Sequence, residues 1–198
     1  MFDCLTPVTS VCLHPNQVEV AISTSGGSIY LWDIKTDNNE QLLPEVNASL
    51  NCVDISPNGK YMAAINNRGS TYIWDLISDG KQLTKTSAKL KFVAQQRYGL
   101  KCKFSPDSTL LVTTGGDGTA RLYKCEDDFK LYREVKIDKF WMWDVAFSND
   151  SKYIFVASSD GSARLWKIET KNIEREYLGH SKALTAIAFR DEFIKGVN

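Results

Sequence analysis

Three runs of alternating apolar and polar residues follow one another in WMWDVAFSNDSKYIFVASSDGSARLW, residues 141–166. Alternation of this kind is typical of β-strands that are buried on at least one face. Asp160-Gly161 separates the second run from the third, and this pair suits a tight hairpin turn that needs positive φ at both central positions. The stretch therefore predicts an antiparallel meander.

Two landmarks of this meander recur upstream with the same spacing. The third strands share an aromatic residue near their end: IYLWDI (29–34), TYIWDL (71–76), ARLYKC (120–125) and ARLWKI (163–168). These aromatic residues are separated by 42, 49 and 43 positions. An apolar residue of the first strand recurs at the same three steps: Leu13, Ile55, Phe104 and Phe147. Two independent landmarks with identical steps predict four copies of one unit.

Each unit continues into a fourth, looser strand: EQLLPEV, GKQLTKT, FKLYREV and NIEREYL. Four strands with a period in the low forties are typical of a β-propeller blade. Trp32-Asp33 and Trp74-Asp75 match the namesake dipeptide of the WD-repeat family, which the chain resembles over essentially its whole length, 1–198. The resemblance implies an all-β WD-repeat β-propeller with four complete four-stranded blades, at about 8–46, 50–86, 99–137 and 142–178.

A fifth first strand is predicted after the fourth blade. Gly179-His180 is the only Gly-His dipeptide, and the apolar run TAIAF follows it, which predicts an extra strand over 184–190. WD-repeat rings usually have about seven blades. We therefore expect the chain to be the C-terminal part of a longer, seven-bladed propeller, with roughly three blades missing upstream.

The resemblance also implies a polar network inside each blade. In the family this network joins a His before the first strand, an Asp in the turn after the second strand and the Trp of the third strand. The matching residues here are Asp117, Asp160, His180, Trp32, Trp74 and Trp166. The first two blades have Gly26-Gly27 and Arg68-Gly69 at the turn, so their networks are absent or altered. The segment 94–98, Ala-Gln-Gln-Arg-Tyr, lacks the expected His, which leaves the network of the third blade open.

Several segments resemble one branch of the family more narrowly. They include VCLHPNQ (11–17), LWDIKTDNNEQLLPE (31–45) and IEREYLGH (173–180). These resemble the G-protein-β-like WD-repeat subunits of target-of-rapamycin kinase complexes. The resemblance implies a non-catalytic scaffold subunit in the cytoplasm. Its expected partners are the kinase domain, which it binds and stabilises, and the other subunits of the complex.

Tyr98, Trp141 and Trp143 are the candidate partner-binding residues. In the repeat register they enter the first strands of adjacent blades, where most equivalent positions are small or polar. Because those positions do not require bulk, we expect the three aromatic residues to form an interaction surface, as tryptophans and tyrosines do at binding hot spots. The alternative is that they pack between blades as part of the core.

The remaining composition argues against other classes of function. Lys plus Arg and Asp plus Glu both number 24, so no bulk charge attracts nucleic acid or a membrane surface. No apolar run reaches the length of a membrane span. His14 and His180 are the only histidines, and the five cysteines show no CxxC pair, so we expect no catalytic triad, metal site or cofactor.

Two alternatives stay open besides the kinase subunit. One is another WD-repeat adaptor, such as a substrate receptor of a ubiquitin ligase. The other is a propeller hydrolase, which would need titratable residues converging on the central channel, and the sequence shows no such set. The insertion in residues 79–97 is rich in lysine and is interpreted as a solvated connection, with a loop for an acidic partner or nucleic-acid phosphates as the alternative.

Overall fold

The chain folds into β-strands that form four separate sheets. The computed structural model describes residues 4–79 and 82–189, and in these ranges the only helix is a 3₁₀ turn at Cys125–Asp127. The strands are β1 Val8–Leu13, β2 Glu19–Thr24, β3 Ile29–Asp33, β4 Asn39–Leu42, β5 Leu50–Ile55, β6 Tyr61–Asn66, β7 Ser70–Ser78, β8 Leu83–Val93, β9 Gly99–Phe104, β10 Leu110–Gly115, β11 Thr119–Lys124, β12 Lys130–Lys136, β13 Met142–Phe147, β14 Tyr153–Ser158, β15 Ala163–Lys167 and β16 Asn172–Tyr177.

Each sheet contains four antiparallel strands in chain order. Sheet 1 is β1-β2-β3-β4, sheet 2 is β5-β6-β7-β8, sheet 3 is β9-β10-β11-β12 and sheet 4 is β13-β14-β15-β16. This confirms the all-β prediction and the four repeated meanders, and it agrees with the blades of a β-propeller. No helix in the described ranges is long and apolar enough to cross a membrane.

The sheets are held together by apolar side chains packed between neighbours. The second strand of each inner sheet is buried on both faces, because its side chains alternate between two neighbouring sheets. In β6, Met62 and Ala64 pack toward sheet 1, whereas Ala63 and Ile65 pack toward sheet 3. A third cluster joins sheets 3 and 4 and contains Leu122 among others. Interdigitated faces of this kind fix the order of the sheets.

The recurring apolar residue of the first strand is packed against a neighbouring sheet in three of the four sheets. Ile55, Phe104 and Phe147 are buried against the sheet that precedes theirs. Leu13 occupies the same position in sheet 1 and is 51% exposed, because no described sheet packs on that side.

The turn between the second and third strands requires glycine. Gly118 and Gly161 have φ of 75° and 83°, in the left-handed region that glycine adopts at low cost. A Cβ atom on Gly161 would lie 2.6 Å from the carbonyl oxygen of His180. The turn therefore packs directly against the chain that leaves the fourth strand.

The interpretation of residues 79–97 as a loop is wrong for most of the segment. β8 runs to Val93, beyond the predicted blade limit at residue 86, and pairs with β7 from Ser78↔Leu83 to Ser70↔Val93. Residues 80 and 81 lie outside the described part. The alternation of LTKTSAKLKFV suits a strand, and the lysines that suggested a loop are common on edge strands.

The predicted extra strand is not formed in residues 184–189. Leu184 donates its N–H to the carbonyl oxygen of Ser158 at 3.0 Å, and Ile187 donates to Oδ2 of Asp144 at 3.0 Å. A strand needs a neighbouring strand to form a ladder of hydrogen bonds, and in the described ranges this segment is paired with no strand. Residue 190 lies outside them.

Candidate partner-binding surface

The three predicted aromatic residues lie side by side on sheets 3 and 4. The ring centroids of Tyr98 and Trp141 are 5.8 Å apart, and those of Trp141 and Trp143 are 5.2 Å apart. Tyr98 is 52% exposed, and both tryptophans are partly exposed. We call these three residues the aromatic ladder. Rings at such distances support each other and present one continuous amphipathic surface.

Backbone contacts hold the ladder in place. Trp141 donates its N–H to Ser159 Oγ at 2.8 Å, and Ser159 returns a backbone bond to the Trp141 carbonyl at 3.0 Å. Gly116 donates to the Tyr98 carbonyl at 2.8 Å. A Cβ atom on Gly116 would lie 3.3 Å from the indole of Trp141, so the ring rests on the backbone of sheet 3. The ladder is therefore rigid at its base.

Trp143 carries a polar group that lacks a partner. Its indole Nε1 is buried and has no acceptor among the described residues. A buried donor without an acceptor costs about 1–3 kcal/mol.

A pocket of about 350 Å³ opens beside the ladder. It is lined by Gln96, Arg97, Gly116, Asp117, Lys136, Asp138, Lys139, Phe140 and Trp141. Lys136 pairs with Asp138 at 2.9 Å, and Asp117 pairs with Arg121 at 2.9 Å. Arg97 and Lys139 form no ion pair with any described residue. The rim next to the aromatic ladder is therefore basic.

In sheet 3, Gln95 occupies the place of the missing histidine. This role of Gln95 was not predicted from the sequence. This residue is 1% exposed; its Nε2 donates to Thr113 Oγ1 at 2.8 Å. Its Oε1 accepts from Arg121 Nη1 at 2.7 Å and lies 2.8 Å from Thr119 Oγ1. Asp117 completes the network by accepting from Thr119 Oγ1 at 2.7 Å. A glutamine amide offers both a donor and an acceptor, as a neutral imidazole does, and that shared chemistry was the available signal.

Sheet 4 has the same turn but a smaller network. Asp160 accepts from Ser162 Oγ at 2.6 Å and pairs with Arg164 at 2.7 Å. The position equivalent to Gln95 is Asp138, whose side chain is 78% exposed. His180 is exposed, and its side chain makes no hydrogen bond to the part of the chain that the structure describes.

Both turn aspartates have a lowered pKa. Burial alone raises the pKa of the Asp117 and Asp160 carboxyls. Hydrogen bonds outweigh that effect, chiefly from Arg121 on Asp117 and from Ser162 and Arg164 on Asp160. The pKa of each carboxyl therefore lies below its ordinary value, so both aspartates are ionised at neutral pH.

The three predicted network tryptophans have separate environments. Trp32 donates from Nε1 to Asp37 Oδ1 at 2.9 Å, within the turn that follows its own strand. Trp74 is buried beside Tyr72, with ring centroids 6.1 Å apart. Trp166 is buried, and its Nε1 has no acceptor among the described residues. Trp74 and Trp166 both fill space in the apolar clusters between neighbouring sheets.

Sheet 2 has a different polar centre at Glu45. Its carboxylate accepts from Lys91 at 2.8 Å, from Arg68 at 3.0 Å and from the hydroxyl of Tyr72. These bonds, led by that from Lys91, lower the pKa of Glu45 to about 2. The altered network predicted for this sheet is therefore built on a residue that the sequence did not single out.

Three segments of the chain match a known family of repeats. The sequence profile described as "WD domain, G-beta repeat" matches residues 4–33, 98–124 and 133–167. The chain belongs to the WD-repeat family. The matched segments fall in sheets 1, 3 and 4, and the unmatched sheet 2 is the one with the long outer strand and the Glu45 network.

Curated relatives match nearly the whole chain. It is 53% identical over 194 residues to the Protein LST8 homolog of Drosophila melanogaster, covering 98% of this chain and 62% of that protein. It is 44% identical over 203 residues to the Target of rapamycin complex subunit LST8 of Bos taurus, with 98% and 62% covered. It is 35% identical over 193 residues to the Target of rapamycin complex subunit wat1 of Schizosaccharomyces pombe, with 96% and 61% covered.

These matches confirm the narrower resemblance within the WD-repeat family. They also show that the chain spans about 62% of the length of the curated relatives it matches.

Proposed function

We propose that this chain acts as a non-catalytic scaffold subunit of a target-of-rapamycin kinase complex in the cytoplasm, where it binds and stabilises the kinase domain. The observation that carries the proposal is the similarity, over nearly the whole chain, to relatives named as subunits of that complex. The mechanism is binding: rigid sheets present side chains to the kinase, and no reaction takes place on this chain.

We propose the aromatic ladder as the anchor for the kinase domain. Tyr98, Trp141 and Trp143 combine partial exposure with fixed positions, so little side-chain entropy is lost when a partner covers them. Truncating such an anchor in a binding hot spot costs about 2 kcal/mol or more. The adjacent basic rim at Arg97 and Lys139 favours an acidic group of the partner beside the apolar contact.

We also propose that the four sheets are blades of a ring of about seven. Leu13, half-exposed at the side of sheet 1 where no described sheet packs, is the position at which a further blade would cover the chain. Such a ring would hold sheets 3 and 4, and with them the ladder, in a fixed orientation toward the kinase.

Affinity purification of the tagged chain from cells, followed by mass spectrometry, tests this role. We expect wild type to recover the kinase and the double variant Trp141→Ala/Trp143→Ala to recover less than a tenth as much, as a loss of about 2 kcal/mol per anchor implies. Tyr177→Ala is a matched control, since it removes a half-exposed aromatic ring from the outer strand of the same sheet.

Each outcome has a distinct meaning. If the folded double variant retains the kinase as well as wild type does, the ladder is not the anchor, although the kinase role stands. If well-behaved wild-type protein recovers no kinase and instead brings down subunits of a ubiquitin ligase, the adaptor alternative replaces the proposal. Circular dichroism and gel filtration establish folding for every variant.

A further inference from the structure

The outer strand of sheet 2 is unusually long for this molecule. β8 has 11 residues, whereas the outer strands β4, β12 and β16 have 4, 7 and 6. It lies at the end of its sheet and, in the described ranges, pairs only with β7. Alternate peptide groups of such an edge point away from the sheet and are available to a further strand.

The charged side chains of β8 are all basic. The strand contains Lys85, Lys89 and Lys91 and no acidic residue. Lys89 pairs with Asp75 at 3.2 Å and Lys91 with Glu45 at 2.8 Å, whereas exposed Lys85 has no ion pair with any described residue. Lysines on an edge discourage pairing with another copy of the same strand, and they attract a strand that carries carboxylates.

A groove of about 500 Å³ runs along part of β8. Its apolar wall includes Leu42, Leu43, Pro44 and Trp74, and its basic wall is Lys89 and Lys91. The groove is open because β4 ends at Leu42, so sheet 1 does not extend alongside β8 there. Leu43 is 54% exposed, and an apolar side chain placed in the groove would cover it.

We propose that β8 binds an extended acidic peptide segment of a partner protein, which adds to sheet 2 as a fifth strand. The peptide backbone pairs with the free edge of Leu83–Val93, its carboxylates lie near Lys85, and its apolar side chains enter the groove beside Leu43. Main-chain bonds supply affinity in this mode of recognition, and alternate side chains supply selectivity. The surface is separate from the aromatic ladder, so the proposal does not depend on the kinase role.

A synthetic peptide tests the proposal directly. We choose a fluorescent ten-residue peptide of alternating Glu and Val and titrate it with the full chain, reading anisotropy. We expect saturable binding and, in hydrogen exchange, slowed exchange of the amides in Leu83–Val93. The same peptide N-methylated throughout has no N–H groups to pair, and we expect its affinity to fall at least about tenfold. A peptide with Lys in place of Glu is expected to bind more weakly as well.

Charge reversal on the strand completes the test. Lys85→Glu should weaken binding of the Glu-Val peptide about fivefold, the scale of one or two exposed charge pairs. Lys130→Glu makes the same charge change on the outer strand of sheet 3 and should leave binding unchanged. The proposal is overturned if the Glu-Val peptide does not bind, if the N-methylated peptide binds equally well, or if both variants weaken binding alike.

Discussion

Sheets 3 and 4 share one sequence pattern, GDGTARLY and SDGSARLW, and yet they are stabilised differently. In sheet 3 the buried amide of Gln95 connects the chain before the first strand to Thr113 and Arg121. In sheet 4 the equivalent residue, Asp138, faces solvent, and among the described residues it forms an ion pair with Lys136 alone. The two sheets nevertheless have the same strand order and share one apolar cluster, and sheet 3 also packs on sheet 2 through a second cluster. Apolar packing between sheets therefore specifies the meander, and the polar network stabilises individual turns.

Among the polar side chains that distinguish the two sheets, the largest effect is expected at Gln95. Gln95→Ala removes the partner of the buried Thr113 hydroxyl and one of the acceptors of Arg121, so we expect the free energy of unfolding to fall by about 3 kcal/mol. Asp138→Ala removes an exposed pair at the equivalent position and should change it by less than about 0.5 kcal/mol. Urea denaturation of both variants measures the difference.

The variant Gln95→His tests whether the hydrogen bonds of the Gln95 amide cause this difference in stability. Because a neutral imidazole also offers one donor and one acceptor, Gln95→His should regain most of the stability that Gln95→Ala loses. Equal losses for the alanine variants of Gln95 and Asp138 would mean that the network of sheet 3 contributes nothing beyond packing.

A smaller, pH-dependent effect is expected at the turn aspartates. Asp117→Asn and Asp160→Asn should each lower the free energy of unfolding at pH 7 by about 2 kcal/mol, because bonds from charged and hydroxyl donors weaken. Both carboxyls have a folded-state pKa below that of the unfolded chain. Their contribution is therefore complete above about pH 4 and is lost as the pH falls through the folded-state pKa values.

Urea midpoints measured between pH 7 and pH 2.5 check this prediction. The wild-type midpoint should fall more steeply below pH 4 than that of either asparagine variant. Parallel curves for wild type and Asp117→Asn would show that this carboxylate has the same pKa in the folded and unfolded chain.

A small effect is expected at the exposed end of the aromatic ladder. Tyr98→Ala removes a half-exposed ring from sheet 3, and we expect the free energy of unfolding to change by less than about 1 kcal/mol. Trp166→Ala in sheet 4 removes a buried ring and should cost about 3–5 kcal/mol. Thermal unfolding of the two variants distinguishes a surface residue from a core residue, and a loss of several kcal/mol for Tyr98→Ala would assign that ring to the core.

The repeat could be read from the sequence because its signals are local. Alternation, Asp-Gly turns and the steps between Trp32, Trp74, Tyr123 and Trp166 depend only on neighbouring residues and chain length, and they predicted four four-stranded sheets. The same reading placed Tyr98, Trp141 and Trp143 near one another, since equivalent positions of adjacent repeats lie side by side. It misread β8, because a lysine-rich edge strand and a solvated loop have similar composition.

The sequence by itself therefore determined the all-β class, the four meanders and the WD-repeat family. Only the tertiary structure decided that Gln95 replaces the histidine of sheet 3, that Glu45 joins Arg68, Lys91 and Tyr72 in sheet 2, and that residues 184–189 do not form a strand. The physical reason is that strand periodicity is a property of neighbours in the chain. A buried hydrogen bond or a strand ladder also depends on which distant groups the packed sheets bring within about 3 Å.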